Sequence, residues 1–121
     1  MTGTRRDKLR LYDILEATAG IRETVGALSF EAFTTVWSAK RACERGIEII
    51  SEASRHIPDQ LKQTEPAIPW RQIAGVGNIL RHGYQTVSDR VIWDIIVTQL
   101  DPLEAAVRRL LQAIDAEDIS E

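Results

Sequence analysis

A chain of 121 residues with 44% hydrophobic and 27% charged side chains has the composition of one ordinary globular domain, with enough apolar mass for a core. A net charge of −3 and a pI of about 5.4 argue against a surface coated in nucleic acid, which leaves a basic footprint, but allow a small local phosphate site. The single cysteine, Cys43, forms no internal disulfide and fits a reducing, cytoplasmic setting, and no apolar run approaches the roughly 20 residues that a membrane span needs.

Residues 1–4 are expected to be loose, and the basic residues Arg5, Arg6, Lys8 and Arg10 are followed by no apolar stretch of signal-peptide type. From about Arg5 to Leu28 the apolar residues Leu11, Ile14, Leu15, Ile21, Val25 and Leu28 fall mostly at steps of three and four. That spacing predicts an amphipathic helix, which Gly20 weakens without breaking. Ser29 with Glu31 predicts a turn and a new helix start, and residues 30–36 a short helix that merges into the next. A second long helix is predicted from Trp37 to His56. Its stripe is Ala39, Ala42, Cys43, Gly46, Ile49, Ile50 and Ala53, small enough in places for another helix to approach closely.

Pro58 stops that helix, and residues 58–67, polar and with two prolines, read as a loop with room for one short turn. A third long helix starts at Pro69 and ends near His82, where Gly83 offers a break. Ser88 caps a helix carrying Val91, Ile92, Ile95 and Ile96. Asp101-Pro102-Leu103-Glu104 then reads as a restart, with a capping acid and proline in the first turn of a last helix. Residues 115–121 form an acidic tail expected to fray. With no alternating strand pattern and no long linker, the expectation is one all-α compact antiparallel bundle of four to five helices over residues 1–121.

The polar end of the third helix carries the chemistry. Asn78, Arg81, His82 and Tyr84 fall within seven positions, and Asn78 and His82, four apart, share a helix face. Histidine exchanges protons near neutrality, and a guanidinium stabilises charge developing on phosphorus, so the group suits work on a phosphodiester. The same residues also have a structural reading. A histidine at a helix C-terminus meets the macrodipole favourably, Arg81 then belongs to a solvated face, and Tyr84 is a half-buried anchor. His56 reads as a surface residue at a helix end, Cys43 as core, Glu52 as either a paired acid or a flank of the stripe, and Trp37, Trp70 and Trp93 as packing anchors. His56 and His82 lack the spacing of a metal site, so no metal or other cofactor is expected.

Nearly the whole chain resembles the HepT-like branch of the HEPN superfamily. The resemblance is carried by Arg10–Ala17, by Arg45–Ala53, by Ile68–Gly75 followed by Asn78 and His82-Gly83-Tyr84, and by Val91–Asp94 and Leu100–Leu103. It implies a helical bundle that forms a homodimer and acts as a ribonuclease toxin on RNA. It also implies a nucleotidyltransferase antitoxin partner that silences the toxin by transferring AMP to the motif tyrosine. In the family pattern an arginine stands five residues before the histidine and the tyrosine two after it. Histidine and tyrosine map to His82 and Tyr84, and the polar residue after the arginine to Asn78. The arginine position itself is Gly77, which can neither bind a phosphate nor stabilise an oxyanion. Two expectations follow. In one, Arg81, a turn beyond Gly77, leans back over the glycine to take the phosphate contact in a metal-independent endoribonuclease. In the other, the chain is a catalytically degenerate dimeric binding module.

Overall fold

The structure is a computed structural model that describes residues 2–83 and 88–120, without the side chains of residues 2–3, 82–83 and 118–120. Six helices and no strand occur among these residues: α1 (Thr2–Val25), α2 (Phe30–Thr35), α3 (Trp37–Arg55), α4 (Asp59–Lys62), α5 (Trp70–Gly83) and α6 (Asp89–Ser120). α3 is the centre of the bundle, with α1 packed on one side and α5 on the other, while α6 lies along α1. Adjacent long helices are antiparallel, as their cross-links show. Lys8 pairs with Asp115 (2.8 Å) at one end of the α1–α6 seam, and Arg22 binds both Asp101 and Glu104 further along it.

The core follows the predicted stripes. Leu11, Ile14, Ile21 and Val25 of α1 are buried against Cys43, Ile47, Ile50 and Ala53 of α3 and against Val107, Leu110 and Ile114 of α6. Burying an aliphatic side chain of this size contributes roughly 1.5–3 kcal/mol, and that sum sets the bundle's order. Ala42, placed in the stripe by sequence, is exposed, while Ile47, Ser51 and Ser54 are buried in its stead. The buried face of α3 is therefore rotated slightly from the one that the small residues alone suggest.

Helix boundaries differ from expectation at several points. α1 begins at Thr2, so residues 2–4 belong to the helix, and it ends at Val25 because Gly26 turns the backbone to φ 50. Ser29 caps α2 as expected, its Oγ accepting from Ala32 N (3.1 Å), but Val36 adopts an extended conformation and separates α2 from α3. The predicted restart at Asp101-Pro102 does not occur, and α6 runs unbroken for 32 residues with Pro102 inside it. Proline removes one backbone bond from a helix interior. Here Ile92, Ile96, Leu100, Leu103, Val107 and Leu110 keep one continuous buried face across it. Asp101, read as a cap, instead holds Arg22. Of the acidic tail, residues 115–120 continue α6, with Asp115 held by Lys8. No helix among the described residues is long and apolar enough to cross a membrane.

Candidate functional site at the end of α5

α5 is fixed at both ends of its run along α3. At its start Trp70 is buried and its Nε1 donates to Glu65 O (3.1 Å). The Glu65 carboxylate is in turn held by Arg109 of α6 through Nε (2.9 Å) and Nη2 (2.7 Å), and that hydrogen bonding keeps it below the usual glutamate range. Further along, a polar seam joins α5 to α3. Ser51 Oγ donates to Ala74 O (3.0 Å) and accepts from Gly77 N (3.1 Å), so one hydroxyl bridges two backbone groups of α5. Arg55 donates to the same Ala74 carbonyl through Nε (3.0 Å) and Nη2 (2.8 Å).

This seam accounts for a glycine at position 77. Gly77 is buried against α3, and a Cβ added there would lie 2.6 Å from Ser51 Oγ and 2.9 Å from Ser51 Cβ. Ser51 itself is 1% exposed, so it has nowhere to retreat. The space beside Gly77 thus belongs to Ser51, and Arg81 does not lean back into it. Instead Arg81 Nη2 donates to Asn78 Oδ1 (3.1 Å) on the exposed side of α5. Across from them on α3, Glu52 is hydrogen-bonded to His56 Nε2 (3.2 Å). Its carboxyl is lowered chiefly by that bond, with smaller help from the charges of Arg55 and Arg81.

Of the residues singled out by sequence, Asn78 and Arg81 are brought together. The backbone of His82 lies in the last turn of α5, while its side chain and all of Tyr84 lie outside the described residues. Ser51 and Arg55 were not legible as site residues, because the stripe of α3 was drawn through its apolar members. The available signal was a mid-helix glycine in one helix and a serine in its neighbour. Cys43 is buried as expected, and burial pushes its thiol up to about 11. Trp37, read as an anchor, is 69% exposed.

The start of α6 is tied to α3. Ser88 Oγ accepts from Val91 N (3.2 Å), as a capping serine should, and Asp89 pairs with Lys40 of α3 (3.3 Å). Glu44, one turn along α3 from Lys40, is buried, and that burial raises its carboxyl although Arg41 holds it at 2.9 Å. Among the described residues no group of three or more His, Cys, Asp or Glu side chains is placed to hold a metal ion.

A family profile described as ribonuclease HepT-like matches residues 14–110, a span that holds α2 to α5, the second half of α1 and the first two thirds of α6. The chain belongs to the HepT-like family. Among its relatives, "Putative RNase TTE0752" of Caldanaerobacter subterraneus subsp. tengcongensis is 35% identical over 102 residues, covering 84% of this chain and 91% of that protein. "Probable ribonuclease HepT" of Thermococcus cleftensis is 36% identical over 106 residues, covering 88% of this chain and 96% of that one. No solved structure matches.

Proposed function

We propose that the chain is a metal-independent endoribonuclease of HepT type, the toxin of a toxin–antitoxin pair, and that it works as a homodimer. The observation that carries the reading is the Asn78–Arg81 pair on the exposed end of α5, directly before His82, in a chain whose family match spans that helix. In the reaction, His82 takes the proton of a ribose 2′-hydroxyl as the 2′-oxygen forms a bond to phosphorus. The bond from phosphorus to the 5′-oxygen breaks, and that oxygen receives a proton. Arg81 is the phosphate ligand and Asn78 orients its guanidinium. Tyr84 is the residue to which a nucleotidyltransferase antitoxin transfers AMP.

The dimer has a mechanistic use, since one His82 per chain supplies one proton carrier and two copies across a two-fold axis supply an acid and a base. Its support in the fold is an apolar groove of about 170 Å³ between α5 and α6, with Ile73 and Val76 on one wall and Ile95, Leu100 and Leu103 on the other. Ile79, 56% exposed, extends the same side of α5 towards the site.

The test is cleavage of total or transfer RNA by purified protein in EDTA, with His82→Ala and Arg81→Ala alongside. Cleavage lost in His82→Ala and reduced by orders of magnitude in Arg81→Ala is the expected result. Unchanged cleavage in Arg81→Ala refutes its role as phosphate ligand. One observation favours a second reading, a non-cleaving dimeric module that binds the nucleotidyltransferase. The buried fit of Gly77 against Ser51 favours glycine at the position that the resemblance gives to the family's arginine. Absence of cleavage by a folded dimer, together with no growth arrest on expression alone, selects that reading.

A further inference from the structure

Trp37 is the most exposed large hydrophobic side chain among the described residues, and it does not belong to the apolar groove between α5 and α6. It opens α3, and with Glu44, Glu48, Ser51 and Arg55 it repeats at steps of seven, four and three, so these five share one helix face. Ser51 and Arg55 are the residues of that face that touch α5. Trp37 therefore points to the side on which α5 packs, but beyond the level where α5 ends. Ser51 and Gly77 mark a common level. From there Trp37 lies fourteen residues along α3 and His82 five along α5 in the same direction, which at about 1.5 Å of rise per residue leaves about 13 Å between them along the axis.

The Arg41 guanidinium stands 5.9 Å from the Trp37 ring centre. At the start of α6 the Arg90 guanidinium lies 4.1 Å over the ring of Phe30, which opens α2. Lys40, in the next turn after Trp37, ties α3 to that first turn of α6 through Asp89. Unpaired bases of RNA are held by aromatic rings and guanidinium planes, while cations follow the backbone. Arg41, Lys40 and Arg90 are each paired with an acid, Glu44, Asp89 and Asp94, so the exposed Trp37 ring is the feature at this end of the bundle that an unpaired base can stack on, a few nucleotides' reach from the end of α5.

We propose that Trp37, with Arg41 beside it, is a base-stacking platform that holds a nucleotide of single-stranded RNA a few positions from the one being cleaved. This rests on the ribonuclease reading for its purpose, but its test does not need cleavage. Binding of a short unstructured RNA to His82→Ala protein is measured by anisotropy, with and without Trp37→Ala. The expected loss is about tenfold in affinity, the size typical of one stacked base, with Trp37→Phe retaining most of the binding. In the His82-intact protein the loss falls on KM and not on kcat. Trp37→Ala that binds RNA as tightly as its parent overturns the platform. So does a loss of affinity accompanied by a loss of dimer in sedimentation, which would make Trp37 a contact between copies. Trp37-dependent binding by a protein that never cleaves RNA upholds the platform and refutes the ribonuclease reading instead.

Discussion

Gly77→Ala should destabilise the protein, against the ordinary rule. In an exposed helix interior, replacing glycine by alanine gains about 1 kcal/mol, because alanine has less conformational freedom to lose. At Gly77 the new methyl would stand 2.6 Å from Ser51 Oγ and 2.9 Å from Ser51 Cβ, well inside contact distance. Overpacking of this kind costs roughly 1–3 kcal/mol. Ser51 can relieve it only by giving up its bonds to Gly77 N and Ala74 O, each with a net contribution of about 1 kcal/mol. The net expectation is a loss of about 1–2 kcal/mol. Ser51→Gly removes both clashing atoms, and in that background the same Gly77→Ala change should stabilise by up to about 1 kcal/mol. Urea unfolding of the four proteins at matched concentration measures the cycle, with a coupling of about 2 kcal/mol expected. The same sign in both backgrounds would refute the packing account of Gly77.

Thr18 is fully buried and its hydroxyl has no partner among the described residues, so Thr18→Val should be neutral or stabilising by about 1 kcal/mol in thermal or urea unfolding. With its thiol buried and pushed up to about 11, Cys43 should react with a thiol reagent at pH 8 only as fast as the fold opens, and immediately in denaturant. Glu104 is held below the ordinary glutamate value of 4.5, first by its bond to Arg22 and next by Arg108, and Glu65 is held below it by Arg109. Carboxyls depressed in the fold contribute stability that is present above 4.5 and lost as pH falls through their folded values. Glu65→Gln and Glu104→Gln should therefore lower stability at pH 7 and flatten its decline in acid, read by urea midpoints across pH. Parallel pH profiles for variant and parent would contradict the assignment.

The order of helices was legible because each long one carries a stripe at steps of three and four, and Ser29 and Ser88 stand where caps are needed. The breaks were harder to read. Pro102 looks like a helix start in isolation, but its cost is one backbone bond, and the buried face running from Ile92 to Ile114 outweighs it. Nothing local marks Val36 as the break between α2 and α3. At the site, the proximity of Asn78 and Arg81 follows from helix spacing alone, whereas the Ser51 bridge depends on which helix lies opposite. Trp37 shows the same limit, since a large aromatic reads as core unless its place beyond the end of a neighbouring helix is known.

The hydroxyl of Ser51 also sets an order on change in a lineage. A step from glycine to arginine at position 77, taken first, would pass through a protein whose central helix and α5 are forced apart, in a molecule whose total stability is of the order of 10 kcal/mol. The reverse order, with position 51 shrinking first, opens the seam before the larger side chain arrives. A side chain larger than glycine at position 77 is thus tolerated only after a change in a different helix, at Ser51.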